Sequence, residues 1–332
     1  MKKSTLNAAL LLDLFEKIDT RSIIAQTGGV DSHRAHVNGA LALVQLRGLS
    51  NFTDESSLNT LSRLIMNCTI SCVSREETVP EGIREVRRHM SRFVDVMDAK
   101  WRLGDLTIEA TDLIAKTRDH TLSSQERERK CMELDTKFAL LAEESLYCKR
   151  IFVQEDMRSD RYLDGWYDLY PDQTATQMWN VLRLSRIILC EGIVKTCQFR
   201  RDKQSPIEIS ALTTIHQMTH DICASVPQMT DCSFAALYKT RLGTGGGNSH
   251  EHTPNHYLDV YILIFGLYVA AWSDYCRPKA REWIERQLEY MAEHFGIREA
   301  REVREVLRRG YGAVRVSPWD VYRLLGSYAF AS

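Results

Sequence analysis

The sequence lacks a net charge, and this excludes one broad class of function. Its 43 Lys and Arg residues against 44 Asp and Glu residues give a formal net charge of −1. A nucleic-acid-binding domain usually carries a clear positive excess, and attraction to an acidic membrane surface depends on the same excess. We therefore expect neither direct nucleic-acid binding by this chain alone nor binding to a membrane.

Zinc-type cysteine spacings and long apolar runs are also missing. The nine cysteines are odd in number and include no C-x2-C pair. This argues against a zinc ribbon or a disulfide framework and favours the reduced, mostly buried thiols of an intracellular protein. The apolar run at residues 261–272 (YILIFGLYVAAW) is shorter than the about 20 residues that span a bilayer. The N-terminal segment is interrupted by Asp13, Glu16 and Lys17, unlike a secretory signal.

Proline is scarce, and its positions mark helix boundaries. The seven prolines fall between segments whose apolar residues recur at helical spacing. Among these segments, long helices are predicted for residues 81–101, 125–152 and 255–275. No run alternates as a strand would. The sequence predicts one all-α domain over residues 1–332, a multi-helix array of roughly 11–13 helices around one core. Residues 241–254, which are rich in glycine but carry no phosphate-binding motif, are predicted to form a flexible loop.

The clearest helix begins at Ser205, in the segment SPIEISALTTIHQMTHDICASVP. Ser205 is typical of an N-cap, Pro206 suits the first helical position, and Glu208 completes the pattern of a capping box. Apolar residues at helical spacing predict a buried face. Pro227 is expected to end the helix.

This helix also carries His216 and His220, four residues apart and therefore on one face. Two such histidines can bind zinc when a glutamate base and a third ligand accompany them. Here Gln217 stands in the place of the glutamate, and no third ligand follows at a suitable spacing. We predict no metal site and no cofactor, and expect the histidines to cap, to form hydrogen bonds, or to pair with Asp221 or Glu208.

A second group of candidates lies on the helix predicted for residues 174–199. Trp179, Arg183 and Arg186 form one stripe among apolar residues. Arginines in such surroundings need a carboxylate or a bound anion. Two interpretations stay open: an ion-pair network with internal acids (Asp221, Asp259 or Glu191), or a pocket for an anionic or polyoxygenated small ligand, with Trp272 as a further wall.

Several stretches together resemble the helical regulatory domain of fungal zinc-cluster (Zn2Cys6) transcription factors. They are residues 33–48 (HRAHVNGALALVQLRG), 178–189 (MWNVLRLSRIIL), 220–229 (HDICASVPQM) and 264–307. The order and spacing of the motifs carry the resemblance, which covers most of the chain. Gly266 departs from the family pattern, since it stands where the family often has proline.

The resemblance implies a nuclear regulator of transcription that controls a fungal secondary-metabolite gene cluster. It implies protein partners, such as a homodimer or a heterodimer with another transcription regulator, and a small-molecule effector. The family's N-terminal Cys-x2-Cys-x6-Cys cluster, which reads DNA, is absent from this sequence. We therefore expect a regulatory domain without its own DNA-binding module.

Two alternatives belong to other functional classes. One is an enzyme of secondary metabolism, a cofactor-free cyclase or isomerase, with His216, His220 and Asp221 as its acid and base groups. Trp179, Trp272 and the two arginines would then shape its pocket. The other is a plain dimerisation or corepressor module.

Overall fold

The computed structural model describes residues 30–145, 147–153, 160–200, 205–231, 254–310 and 315–325. The loop predicted for residues 241–254 lies outside these ranges, except for Pro254. Within them the chain is all-α apart from one short hairpin, which confirms the predicted class.

The helices follow one another with short connections. In chain order they are α1 (Val30–Arg47), α2 (Glu55–Arg75), α3 (Glu81–Met90), α4 (Ala99–Arg118), α5 (Ser124–Ser145), α6 (Gln173–Phe199), α7 (Pro206–Ala224), α8 (Val226–Thr230), α9 (Pro254–Tyr261), α10 (Leu263–Trp272), α11 (Pro278–His294), α12 (Arg298–Arg309) and α13 (Pro318–Leu325). A 3-10 turn, Leu49–Asn51, follows α1. The helices of the described ranges thus match the predicted number.

The described residues divide into two compact units. The first unit comprises residues 30–130 and 319–325, and the second comprises residues 131–318. The predicted single core over the whole chain stays a prediction.

The core of the first unit is built by the apolar faces of α1, α2 and α3. Val37 and Val44 of α1 and Leu61 and Leu64 of α2 are almost fully buried there. α1 ends at Arg47, and the following Gly48 has a φ of 78°, a backbone conformation that favours glycine.

The second unit is organised by α6 and α7, which pack along their lengths, while α10 packs against both. All residues of α10 from Leu263 to Ala271 are buried. Gly266 faces the other two helices: a Cβ atom at this position would lie 3.6 Å from Ile222 and 3.8 Å from Asn180. This position therefore accommodates a methyl group at ordinary contact distance, and a large side chain would force the helices apart.

Several predicted helices are interrupted in the structure. The helix predicted for residues 81–101 ends at Met90, and Met97 is 68% exposed, so the apolar stripe beyond Met90 does not mark a buried face. The helix predicted for residues 255–275 breaks at Ile262. Pro227 does not end the helical region but lies in the first turn of α8, where the missing N–H of proline costs little.

The expectation of no strand is also wrong. The segment predicted as the end of a long helix forms β1 (Lys149–Phe152), which pairs antiparallel with β2 (Trp166–Leu169) and places Arg150 opposite Asp168. Both strands are short, and the residues of β1 do not alternate between buried and exposed positions. An alternating pattern of apolar and polar residues, which would predict this strand, is therefore not expected in its sequence.

Candidate functional site

The N-terminus of α7 has the predicted cap. The Ser205 Oγ accepts a hydrogen bond from the backbone N–H of Glu208 at 3.2 Å, and Pro206 occupies the first helical position. The Glu208 carboxylate accepts a hydrogen bond from Gln198 of α6. The start of α7 is thus fixed by its own local sequence and tied to α6.

The two histidines of α7 contact different partners. The His216 Nε2 lies 3.0 Å from the backbone carbonyl oxygen of Tyr275. Because a carbonyl oxygen only accepts, Nε2 of His216 carries the hydrogen and donates it. Burial lowers the pKa of His216, and the nearby Arg277 lowers it further, whereas the hydrogen bond to Tyr275 raises it; the net effect is a lowered pKa, which favours the neutral ring.

His220 instead points to a carboxylate. Its Nε2 lies 2.9 Å from Asp164 Oδ2, and the other oxygen of Asp164 accepts from Lys279 Nζ. The hydrogen bond from Lys279 lowers the pKa of Asp164, and the bond from His220 acts in the same direction. Asp164 adopts a left-handed conformation (φ 58°) and precedes Gly165 (φ 81°), so the turn before β2 sets the position of this carboxylate.

The imidazole of His220 is one layer of a three-layer stack. Its ring stacks on the Trp166 indole with a centroid distance of 4.3 Å and an interplanar angle of 17°. On the Trp166 ring, the Arg150 guanidinium carbon lies 3.4 Å from the ring centroid. Cation–π attraction and ring stacking together hold the side chains of Arg150, Trp166 and His220 against one another. We call these three residues the stacked cluster.

Carboxylates on two different elements bind the arginine of the stacked cluster. Arg150 makes a bidentate pair with the fully buried Asp168, at 2.9 and 3.1 Å, and reaches Asp221 of α7 at 3.1 Å. Asp221 also accepts from Gln217 at 2.9 Å. The hairpin is thereby fastened to α7 through charge-assisted hydrogen bonds.

The arginines of α6 have partners that the sequence did not indicate. Arg186 forms a bidentate pair with Asp135 of α5, at 2.7 and 3.1 Å. Arg183 is buried and donates to the Tyr170 hydroxyl at 2.6 Å and to the Asn180 amide oxygen at 3.0 Å. Neither arginine makes a hydrogen bond or salt bridge to Asp221, Asp259 or Glu191 in the described residues.

The two tryptophans of the predicted pocket lie in different surroundings. Trp179 is buried in α6. Trp272 is flanked by Arg315, whose guanidinium carbon lies 4.6 Å from the ring centroid, and by Lys195 at 5.5 Å. These two cations pair with the buried carboxylate of Glu191, at 3.2 and 2.8 Å. Trp272 thus lies beside the ion pairs of Arg315 and Lys195 with Glu191.

Sequence reasoning missed the residues of the hairpin. Arg150, Asp164 and Trp166 lie on or beside the two strands, in a region where no strand was predicted. One signal could have located them: Asp164-Gly165 precedes the aromatic segment WYDLY, and an Asp-Gly pair before such a segment is typical of a turn into a strand.

Three further findings bear on the kind of site. Across the described ranges, no group of three or more His, Cys, Asp or Glu residues is arranged to hold a metal ion. In that same part of the chain, no helix has both the length and the apolar character needed to cross a bilayer. Comparisons with protein-family models, with curated proteins and with solved structures find no match for this chain.

Proposed function

We propose that the chain is a regulatory module of transcription that acts through protein contacts, as its resemblance to the helical domain of fungal zinc-cluster regulators implies. The observation that carries the proposal is the packing of three of the four motifs behind that resemblance; the fourth, residues 33–48, lies on α1 and Gly48 in the first unit. Residues 178–189, 220–229 and 264–307 lie on α6, α7, α8 and α10–α12, all within the second unit, where α10 packs against both α6 and α7. Motifs far apart in the sequence are therefore neighbours in one helical body.

The bonds of the polar candidates support a scaffold more than a ligand pocket. Arg186 is neutralised by Asp135, and Asp221 accepts from Arg150 and Gln217. The His216 ring is engaged by a backbone carbonyl oxygen. These side chains are engaged in holding the helices and the hairpin together. Contacts with protein partners would therefore be made by the outer faces of the helices.

The proposal includes the partners and location that the resemblance implies. The chain would work in the nucleus, as a homodimer or paired with another transcription regulator that supplies the DNA contact. It would control a fungal secondary-metabolite gene cluster, in response to a small-molecule effector. With a net charge of −1 and no zinc cluster in its sequence, it would give no sequence-specific shift in a gel-shift titration.

A tethered-reporter assay in a fungal host tests this function. The chain is fused to an unrelated DNA-binding module, and reporter output is compared with that of the module alone at equal expression. We expect the fusion to change reporter output several-fold. Output equal to that of the bare module would contradict the proposal.

Two variants at one position make the assay specific for the folded module. The Gly266→Ala variant adds a methyl group at ordinary contact distance and is expected to keep the reporter effect. The Gly266→Leu variant overpacks the contact of α10 with α6 and α7, at a cost of about 1–3 kcal/mol, and is expected to weaken the effect. An effect of equal size in both variants would show that the packed unit is not what acts.

One observation favours the enzyme alternative as a second candidate. The His220 Nε2 is bound by Asp164, and the buried Nδ1 atom has no hydrogen-bond partner in the described part of the chain. A histidine held by a carboxylate in this way can act as a base through its other nitrogen. An isomerase of this kind would exchange carbon-bound protons of an unsaturated ketone with D2O, and His220→Gln would abolish the exchange. Exchange at the rate of buffer alone is the result that the regulatory proposal expects.

A further inference from the structure

A cleft with a volume of about 450 Å³ opens in the first unit, beside the last turns of α2. Cys68 and Cys72 line this cleft, together with Arg75 and Glu77. The two cysteines also belong to the apolar core and are only 2% and 3% exposed. The thiol pair is therefore held rigidly by the core on one side and adjoins an open cavity on the other.

The spacing of the pair suits a bridging atom better than a direct sulfur–sulfur bond. Residues four apart on a helix have Cβ atoms about 5–6 Å apart, whereas a disulfide requires about 3.5–4.5 Å. An ion bound at about 2.3 Å from each sulfur spans about 4.6 Å between the sulfur atoms without unwinding the helix. Both residues are free thiols in the structure.

A cation and a carboxylate lie close to the pair in the lining of the cleft, Arg75 and Glu77. Arg75 lies 3.1 Å from Glu77 and is thus oriented beside the cleft.

We propose that Cys68 and Cys72 form a binding site for a soft, two-coordinate metal ion of the Cu(I) class. Two sulfur–copper bonds form, both thiol protons pass to solvent, and no electron is transferred. Thiolates select Cu(I) among biological metals, whereas structural zinc requires four ligands. The bound unit carries one net negative charge, and the lining of the cleft includes two cations, Arg75 and Arg118, which are paired with Glu77 and Asp119. The sequence analysis predicts no metal site, so this proposal differs from that prediction. It does not depend on the proposed function.

Anaerobic titration of the full chain with Cu(I) against a chromophoric Cu(I) chelator tests the site. We expect one tight ion per chain, and the Cys68→Ala and Cys72→Ala variants are each expected to bind it at least about tenfold more weakly, since loss of even a supporting contact costs that much. Cys190→Ala is the matched control, because it removes an equally buried thiol of α6 from outside the cleft. This control is expected to bind like the unchanged chain.

X-ray absorption of the Cu(I)-loaded, unchanged chain provides a test that needs no variant to fold. The site predicts two sulfur neighbours at the copper. Cysteine alkylation followed by mass spectrometry is expected to show Cys68 and Cys72 protected by the ion. Absence of a tight ion, copper bound by three or more sulfurs, or loss of binding in Cys190→Ala alone would overturn the proposal.

Discussion

Arg183 places a permanent positive charge in the interior of the second unit, where an unpaired ion is very costly. Its hydrogen bonds go to two neutral groups, the Tyr170 hydroxyl and the Asn180 amide oxygen. Asn180 in turn donates to Ser225 Oγ at 2.9 Å, which joins α6 to the end of α7. The charge is thus stabilised by a polar network whose removal should be felt in the stability of the unit.

Removal of the Tyr170 hydroxyl tests this network. We expect Tyr170→Phe to lower the free energy of unfolding by about 1.5–3 kcal/mol, because a buried charged donor loses its acceptor. Urea denaturation measures the change. Tyr147, which is 73% exposed, provides the same substitution as a control, and Tyr147→Phe is expected to stay within about 0.5 kcal/mol. Equal effects of the two substitutions would contradict this role of Tyr170.

His216 predicts a pH dependence of stability at mildly acidic pH. Its pKa in the folded chain is lowered by burial and by Arg277, so below about pH 6.5 the unfolded chain binds the proton more readily. Stability should therefore fall as the pH drops through that value. In thermal melts, His216→Gln is expected to flatten the slope between about pH 7.5 and 5.5.

The exposed His120 provides the control for this measurement. His120→Gln is expected to give the same dependence of melting temperature on pH as the unchanged chain. If His216→Gln also left this dependence unchanged, His216 would not be its source.

Asp164 contributes to the pH dependence of stability in a separate, more acidic range. Its lowered pKa stabilises the fold above the ordinary carboxyl pKa of about 4, and this contribution is lost as the pH falls further.

At the scale of single elements, the helices that could be predicted are those whose ends are encoded locally. Ser205 with Pro206 defines the start of α7, and glycines with positive φ, Gly48 and Gly296, follow the ends of α1 and α11. The end of α3 at Met90 could not be predicted, because the apolar residues that follow continue a helical stripe without being buried. The sequence signals the hairpin only through Asp164-Gly165 before the second strand, because the strands are short and β2 packs on α7 and α8.

The cap of α7 gives a prediction at this scale. Ser205→Ala removes the side-chain acceptor for the Glu208 N–H and is expected to lower the free energy of unfolding by about 1 kcal/mol. Ser205→Asp keeps an acceptor and adds a favourable charge at the helix N-terminus, so it should match the unchanged chain. Chemical denaturation compares the variants, and an equal loss in both would show that the cap does not stabilise the helix.

At the scale of the whole molecule, the site contacts join residues that the sequence separates widely. Arg186 and Asp135 lie 51 positions apart, Arg150 and Asp221 lie 71 apart, and Lys279 and Asp164 lie 115 apart. Sequence patterns indicated that the arginines and histidines needed partners, since buried polar groups are hydrogen-bonded. Which carboxylates serve could not be read from spacing, because packing alone brings them together.

We propose that this helical chain regulates transcription by contacts and not by chemistry at His220. The most direct measurement is the tethered-reporter output of the unchanged chain beside that of His220→Gln, with thermal melts showing that both are folded. We expect a several-fold effect that is equal in the two fusions. No effect from the unchanged chain, or an effect abolished by His220→Gln in a folded protein, would contradict it.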